Sequence, residues 1–146
     1  MEIYTNHLKS LREIALKYDA RVYHLGRTDR IPESLRYELY TLIEDTAENE
    51  GRVLNIALDY GGPDEIERAA KKEGTIAENL DTAGQRYPNP DIIVRTSGEQ
   101  RLSGFMSYQA SYAEFIFTDF FFPDFDPEKL DFVAKEFNSR QRRFGK

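Results

Sequence analysis

The amino-acid sequence predicts an α/β fold, with a mainly parallel sheet flanked by helices. Short β-prone runs alternate along the chain with longer stretches whose apolar residues recur every three or four positions. Each β-prone run ends at glycine or in a polar loop. Strands separated by helices are joined by right-handed crossovers, which produce parallel pairing. The 146 residues contain no repeat, linker or low-complexity stretch, so we predict a single layered structure over residues 1–146.

Three apolar stripes at helical spacing predict the main helices of the first half of the chain. The first helix is expected to begin at residues 5–6, where threonine and asparagine can cap it. Pro32 suits the first turn of the second helix, which should end near residues 49–51. The third begins at Pro63 and closes at Gly74. The apolar positions of these stripes are Leu8, Leu11, Ile14 and Ala15, then Leu35, Leu39, Leu42 and Ile43, then Ile66 and Ala70.

Two β-prone runs lie between these helices. One covers residues 21–25, and the other covers residues 53–58 and leads to a Gly-Gly pair at 61–62. The second run is apolar enough for a buried strand of a parallel sheet. Thr75 and Glu78 have the spacing of a capping box, which predicts a further short helix after Gly74.

The second half of the sequence predicts two strands and two helices. Strands are expected over 92–94 and 115–117, separated by a polar loop over 95–104 and a helix over 105–113. Asp126 and Pro127 open a final helix. Its apolar face is Leu130, Val133, Ala134 and Phe137. Its last turn is expected to hold three arginines that complement the helix dipole and a C-cap glycine, namely Arg140, Arg142, Arg143 and Gly145.

Composition excludes several classes of protein and site. A net charge of −6 and a pI near 5.0 argue against a general nucleic-acid binder, which needs a basic field. The absence of cysteine excludes disulfides, thiolate metal sites and cysteine nucleophiles, and two histidines make a histidine-rich metal site improbable. No apolar run has the length of a membrane span, so we expect a cytoplasmic protein.

The polar loop after the third strand is a candidate anion site, because parallel sheets bind ligands at the carboxyl ends of their strands. Arg95 begins this loop, and Gly98 allows its backbone N–H groups to turn toward an anion. A helix beginning near Leu102 would add the positive end of its dipole. We therefore expect the loop to bind a diphosphate group.

The side chains of this loop have matching chemistry. Arg95 and Arg101 offer planar guanidinium forks for a diphosphate. Ser97 and Ser103 offer hydroxyl donors. Glu99 could orient an arginine or help to hold a substrate-bound magnesium ion. By itself, so short a motif leaves open an alternative of about equal weight, a solvated loop whose charges pair with one another.

Glu114 is the candidate metal ligand. It begins an otherwise apolar strand, and we expect it on the same side of the sheet as the loop. Magnesium takes one or two protein carboxylates and completes its shell with water and phosphate oxygens, which suits a glutamate beside a diphosphate. The alternative is a strand-end glutamate that pairs with Arg101 or with a terminal arginine.

Three ordered motifs resemble those of the cis-prenyltransferase family, which includes undecaprenyl diphosphate synthase and other polyprenyl diphosphate synthases. The strongest covers residues 91–125 and includes Ile-Val-Arg-Thr-Ser-Gly-Glu-Gln-Arg-Leu-Ser-Gly, then Tyr-Ala-Glu-Phe and Pro-Asp-Phe. The likeness extends upstream through residues 54–62 and 24–26, and downstream to Arg-Arg-Phe-Gly at 142–145. It covers almost the whole chain and implies an undecaprenyl diphosphate synthase-like fold.

The resemblance implies a prenyltransferase of isoprenoid biosynthesis. Isopentenyl diphosphate would be added to an allylic diphosphate with a new cis double bond, Mg²⁺ helping diphosphate to leave, to give a polyprenyl diphosphate. Glu114 would help to coordinate that Mg²⁺. The positions that would bind isopentenyl diphosphate are Arg95, Arg101 and Ser103, with Glu99 and Leu102 in the same substrate-binding loop.

The C-terminal residues match a further family feature. Arg143-Phe144-Gly145 resembles the R-x-G tail that in this family reaches across a dimer toward the partner's active site. The resemblance implies that Arg143 and Gly145 bind substrate, in a homodimer or a heteromer with another cis-prenyltransferase subunit. Simple helix termination would also account for this composition. The lipid product implies at most a peripheral membrane contact, and no nucleic-acid partner is expected.

Two family motifs have no counterpart in the sequence. One is the N-terminal Met-Asp-Gly-Asn-Gly-Arg loop, which in the family binds the allylic diphosphate and magnesium. The other is Ser-x-Glu-Asn-Trp. We therefore expect no catalytic residue in this chain and interpret residues 1–146 as the C-terminal part of a single cis-prenyltransferase domain. It would hold the isopentenyl diphosphate half of the site and be inactive alone. Smaller departures are Asp59, Pro63, Gly104 and Tyr108, where the family usually has Asn, Arg, Asn and Trp.

Three functions are compatible with these features. The favoured one is a part of an active synthase, because the motif residues expected to bind diphosphate are intact. The second is a non-catalytic subunit that stabilises a partner synthase and donates the R-x-G tail. The third is a free-standing anion-binding domain. About half of a late phenylalanine cluster is expected in the core and the rest against a partner subunit: Phe115, Phe117, Phe120, Phe121, Phe122 and Phe125.

Overall fold

The computed structural model describes the backbone of residues 2–140 and the side chains of residues 4–140. The chain divides into two compact units, Met1–Tyr87 and Pro88–Lys146, and each is considered by itself. Both units have parallel strands flanked by helices, which confirms the α/β class. No helix within residues 2–140 combines the length and the hydropathy needed to cross a bilayer.

The first unit contains four helices and two strands. In chain order they are α1 (Glu2–Lys17), β1 (Ala20–Leu25), α2 (Glu33–Asp45), β2 (Arg52–Ala57), α3 (Gly62–Ala70) and α4 (Ile76–Asn79). β1 and β2 pair in parallel, with Ala20 opposite Arg52 and Leu25 opposite Ala57. α4 begins with the predicted capping box of Thr75 and Glu78.

Three helix boundaries of the first unit differ from those predicted. α3 ends at Ala70, with Lys71 as its C-cap, and does not extend to Gly74. α1 already includes residues 5–6, so neither residue caps its start. α2 ends at Asp45, short of the predicted 49–51, because Thr46 leaves the helical conformation as its C-cap. Element ends are the least certain part of a pattern-based assignment, since capping geometry and not periodicity decides them.

The core of the first unit lies between α1, α2 and one face of β1. Apolar residues of α2 lie on one stripe, and Leu39 and Leu42 are completely buried. Val22 of β1 packs into the same cluster. Each fully buried side chain of this size contributes on the order of 2 kcal/mol by leaving water. The remaining buried members are Leu8, Ala15, Ala20, Ile31 and Leu35.

A buried threonine joins α2 to β1. Thr46 is fully buried, and its Oγ1 accepts a hydrogen bond from Val22 N at 3.1 Å and donates one to Leu42 O at 2.8 Å. Replacing Thr46 with valine keeps the shape and leaves the Val22 N–H without that acceptor. We expect Thr46→Val to lower the free energy of unfolding by about 1–3 kcal/mol in urea denaturation.

Thr41→Val is the matched control for this prediction. The Thr41 hydroxyl donates only to Tyr37 O within its own helix, at 3.0 Å and in a more exposed position. Its loss should change stability by less than about 0.5 kcal/mol. Equal effects of the two substitutions would show that the contact between Thr46 and β1 does not stabilise the unit.

Over residues 88–140 the second unit has two short parallel strands and one long helix. They are β3 (Ile92–Arg95), β4 (Glu114–Phe117) and α5 (Pro127–Ser139), with 3₁₀ turns at Gln109–Tyr112 and Phe122–Asp124. Ile92 lies opposite Glu114 and Arg95 opposite Phe117. Asp126 caps α5 as predicted, its carboxylate accepting from Lys129 N at 2.9 Å. α5 ends at Ser139 with Arg140 as its C-cap, so the prediction that Arg140 lies in the last turn of this helix is wrong. Arg142, Arg143 and Gly145 lie outside the described residues.

The predicted helix over 105–113 is wrong. Turns cover most of residues 103–108, and only the single 3₁₀ turn at 109–112 is helical. Ser103, Gly104 and Met106 have φ angles of 49°, 78° and 46°. These left-handed conformations interrupt a right-handed helix, and apolar spacing alone gives no sign of them.

Each unit has one pair of strands within the described residues, β1 with β2 and β3 with β4. The parallel direction of both pairs agrees with the prediction. The late phenylalanines divide evenly by exposure. Phe117, Phe121 and Phe122 are exposed, and Phe115, Phe120 and Phe125 are partly buried. Contact of the exposed three with a partner subunit stays a prediction.

Candidate functional site

The loop that follows β3 is held against the segment that follows β4. Thr118 N donates to Arg95 O at 2.9 Å, Gly98 N donates to Thr118 O at 2.9 Å, and Ser97 N donates to Phe120 O at 2.8 Å. Ser97 and Gly98 adopt left-handed φ angles of 69° and 71°, which turn the chain at this point. Because these two N–H groups already have carbonyl partners, the predicted backbone cradle for an anion is not formed by them.

Arg95 closes the loop. It is the last residue of β3, and its Nη1 donates to Arg101 O at 2.5 Å and to Ser103 Oγ at 3.1 Å. Within the described residues Arg95 makes no ion pair, so its charge stays uncompensated by a carboxylate. The structure thus brings together the three residues predicted to bind isopentenyl diphosphate.

Arg101 and Glu99 form an ion pair at the surface of the loop. Their side chains are 64% and 42% exposed, so solvent screens the pair and an anion could compete for the arginine. Of the two roles considered for Glu99, orienting an arginine is the one with an observed contact. Leu102 is partly buried and, with Phe105, lines a small cavity of about 140 Å³ beside Arg95.

No α-helix begins near Leu102, so the expected contribution of a helix dipole is wrong. The same left-handed residues that replace the predicted helix by turns remove its positive end. An anion bound here would therefore gain nothing from a helix dipole, and the charged donors of the loop are the guanidinium groups.

Glu114 lies at the opposite end of the strand pair from Arg95. It begins β4 opposite Ile92, whereas Arg95 ends β3 opposite Phe117. With a rise of about 3.3 Å per residue, the two ends are roughly 10 Å apart. The expectation that Glu114 lies on the same side of the sheet as the loop after β3 is therefore wrong.

The Glu114 carboxylate is paired with Arg140, the C-cap residue of α5. Arg140 Nη1 donates to Glu114 Oε2 at 2.9 Å and to Phe115 O at 2.9 Å. This is the alternative of a strand-end glutamate paired with an arginine near the C-terminus. Arg101 pairs instead with Glu99.

The described residues do not assemble a magnesium site. Within residues 4–140 no group of three or more acidic or histidine side chains is arranged so that it could hold a metal ion, and Glu114 is a single carboxylate paired with Arg140. Magnesium needs near-octahedral oxygen coordination, to which one such carboxylate contributes at most one or two ligands. The role of Glu114 as a metal ligand stays a prediction, and we derive no step through the ion.

A buried polar network at the carboxyl ends of β1 and β2 escaped the sequence analysis. The Asp81 carboxylate accepts from Gly26 N at 2.8 Å and from both terminal nitrogens of Arg68, at 3.1 and 2.8 Å. Asp81 N in turn donates to Glu65 Oε1 at 2.8 Å, and Tyr60 OH donates to Glu65 Oε2 at 2.6 Å. Glu65 is only 1% exposed. Gly26 and Asp81 are 55 positions apart in sequence, so no local motif predicts the network.

The arginines of this network are held as cations by neighbouring carboxylates. The hydrogen bond to Asp81 is the chief cause that raises the pKa of Arg68 above its ordinary value, followed by that to Asp64. The pKa of Asp64 is lowered, first by Arg68 and then by Arg27. Asp59, one of the departures from the family pattern, accepts both its hydrogen bonds from Arg30, at 2.7 and 2.8 Å. The departure therefore has a compensating partner in this chain.

Comparison with known proteins agrees with the motifs. The family model described as putative undecaprenyl diphosphate synthase matches residues 1–145. The chain is 36% identical to an isoprenyl transferase of Fusobacterium nucleatum, over 99% of this chain and 66% of the relative. It is 39% identical to an isoprenyl transferase of Streptococcus thermophilus, over 88% of this chain and 59% of the relative. The chain thus spans less than two thirds of the length of these curated relatives.

Solved structures give the same assignment. Lavandulyl diphosphate synthase from Lavandula x intermedia, solved in complex with dimethylallyl diphosphate, matches with a TM-score of 0.93 at 30% identity, over all of this chain and 70% of the other. A probable undecaprenyl diphosphate synthase from Campylobacter jejuni matches with a TM-score of 0.86 at 30% identity, over 99% of this chain and 72% of the other. With the family model, these matches show that the chain belongs to the undecaprenyl diphosphate synthase family, the cis-prenyltransferases.

Proposed function

We propose that this chain is the isopentenyl diphosphate-binding part of a cis-prenyl chain-elongating transferase. In the reaction a carbon–carbon bond forms between isopentenyl diphosphate and an allylic diphosphate, whose carbon–oxygen bond breaks to release diphosphate. A proton is lost from C2 of the isopentenyl unit to the released diphosphate or to water, which gives the new double bond. The product is a longer polyprenyl diphosphate. The chain's own residues bind and orient the diphosphate group of the isopentenyl substrate.

One observation carries this proposal. Arg95 Nη1 donates to the Arg101 carbonyl and to the Ser103 hydroxyl at the carboxyl end of β3. This contact supports the proposal, because it joins the three residues of the motif in one loop. Arg101 keeps its guanidinium exposed, with only a screened contact to Glu99. A bidentate guanidinium and a hydroxyl donor supply charge-assisted hydrogen bonds of the kind that hold phosphate oxygens.

The test is transfer of labelled isopentenyl diphosphate onto an allylic diphosphate, with the chain combined with one that carries the Met-Asp-Gly-Asn-Gly-Arg loop. Arg101→Gln should lower kcat/KM for isopentenyl diphosphate by about a hundredfold, because it removes charge and both fork donors from the diphosphate. Gln100→Ala, in the neighbouring exposed position, is the control and should leave transfer unchanged. An Arg101→Gln mixture as active as the wild type would contradict the proposal.

A second candidate function is a non-catalytic subunit that stabilises a partner synthase. The observation that favours it is the Glu114–Arg140 pair, which occupies the side chain expected to bind magnesium. On this proposal, the R-x-G tail at residues 143–145 would serve the partner's active site. Deleting residues 143–146 would then abolish transfer while Arg95→Ala and Glu114→Ala leave it intact. The catalytic proposal requires Arg95→Ala to lower it.

A further inference from the structure

An arginine-lined depression lies at the amino ends of β1 and β2. Arg21 is the second residue of β1 and Arg52 the first of β2, while Arg86 comes from the segment that follows α4. These side chains, with Tyr23 and Asn49, line an open depression of about 400 Å³. The loops that connect strands to helices at the carboxyl ends of β1 and β2 lie at the other end of this sheet.

Each of the three guanidinium groups is supported by a tyrosine ring. Stacking on a ring uses the face of the guanidinium and leaves its N–H edge free for an oxygen ligand. Arg52 is fixed further, because its Nη1 donates to Tyr18 O at 2.9 Å. The distances from the guanidinium carbon to the ring centre are 5.3 Å for Arg21 on Tyr23, 6.0 Å for Arg52 on Tyr18 and 5.2 Å for Arg86 on Tyr87.

The charges of these arginines are not neutralised by the described part of the chain. Among residues 4–140, none of the three forms an ion pair with a carboxylate, although the whole chain has a net charge of −6. Arginines of the same unit elsewhere, such as Arg30 and Arg68, do pair with aspartates. Glu50 is the single carboxylate among the described lining residues. Three like charges around one depression repel one another, and a bound anion would offset that repulsion.

We propose that this depression binds the phosphate or diphosphate group of a small ligand or a lipid headgroup. Three guanidinium groups line the depression and can donate to the oxygens of a phosphate group, and the volume falls within the roughly 300–1,000 Å³ usual for small-molecule sites. The site goes beyond the proposed transferase function and does not rest on it, since no residue of the loop after β3 takes part.

The first test is titration of inorganic diphosphate into the full chain carrying Arg95→Gln and Arg101→Gln. Binding is monitored through the chemical shifts of the backbone amides in NMR spectra. The two substitutions weaken the loop after β3, so the depression dominates the response. Shifts should appear at residues 21–23, 49–53 and 84–86. Adding Arg21→Gln and Arg86→Gln should weaken binding at least about tenfold, since each removes a charge-assisted donor. Arg52 is kept because its bond to Tyr18 supports the start of β2.

Lys71→Gln with Lys72→Gln is the matched control. Both lysines are exposed, and removing them changes the net charge equally without touching the depression. This control should bind diphosphate as its parent does. Equal weakening by both double substitutions would show non-specific attraction and overturn the proposal. Thermal melting supplies a second readout, because diphosphate should raise the Tm of the parent and of the lysine control only.

A parallel arm distinguishes the source of the phosphate group. Sedimentation with phosphatidylcholine vesicles, with and without phosphatidic acid, reports on a lipid headgroup. If free diphosphate binds, and Arg21→Gln with Arg86→Gln weakens that binding, the site is assigned to a soluble ligand. Recruitment by phosphatidic acid that the same substitutions abolish assigns it to a membrane headgroup. If neither probe binds, or if binding ignores these substitutions, the proposal is wrong.

Discussion

Arg95→Ala should weaken isopentenyl diphosphate binding by at least about a hundredfold. The substitution removes a positive charge that no described carboxylate compensates, and it also releases the loop. Arg95 Nη1 bonds both Arg101 O and Ser103 Oγ, so the groups predicted to bind diphosphate would lose their common anchor. Isothermal titration calorimetry of the chain with isopentenyl diphosphate measures this loss directly.

Two further substitutions serve as controls for the effect of Arg95→Ala on affinity. In arginine, Nη1 holds the loop while the remaining nitrogens can face a ligand. The single ammonium of Arg95→Lys cannot do both, so we expect a partial loss of about tenfold. Arg36→Ala removes an arginine of α2, in the other unit, and should not change the affinity. Binding by Arg95→Ala that equals the wild type would show that this loop is not the substrate site.

Asp81→Ala should lower the free energy of unfolding by about 3–5 kcal/mol. The Asp81 side chain is 13% exposed and satisfies three donors, one from the Gly26 backbone and two from Arg68. Its removal leaves Arg68 with Asp64 as its remaining acidic partner and the Gly26 N–H without this acceptor. Removing one member of such a network lowers the free energy of unfolding more than breaking an exposed ion pair does, because the remaining partners stay partly buried.

Asp29→Ala is the control for that prediction. Asp29 also pairs with an arginine, Arg27, but its side chain is 60% exposed. Water replaces the lost contact there, so the free energy of unfolding should fall far less than it does for Asp81→Ala. Guanidinium denaturation of both variants gives the comparison. Similar costs for Asp29→Ala and Asp81→Ala would mean that burial does not strengthen the Asp81 network.

The sequence predicted the strands and most helices well, because their signals are local. β3 and β4 are short apolar runs bounded by polar residues, and the capping box of Thr75 and Glu78 predicts the start of α4. The predicted helix over 105–113 failed because left-handed residues at 103–106 break it, and composition does not encode them reliably. The partner of each strand depends on contacts between segments distant in sequence, which periodicity cannot supply.

In the candidate site, too, the local contacts were predicted and the long-range contacts were not. Arg95, Arg101 and Ser103 lie within nine consecutive residues, so a short loop suffices to bring them together. Glu114 was placed on the wrong edge, although the parallel direction itself implies that the start of β4 lies away from the end of β3. The pairing with Arg140 spans 26 positions and has no local signature.

The central claim is that the loop after β3 holds the diphosphate of isopentenyl diphosphate. Its most direct measurement is calorimetric titration of that substrate into the chain carrying Arg21→Gln and Arg86→Gln, which weaken the second anion site. We predict one binding event per chain, displaced by inorganic diphosphate and abolished by Arg101→Gln with Ser103→Ala. Absence of binding, or binding that these two loop substitutions leave unchanged, would contradict the claim.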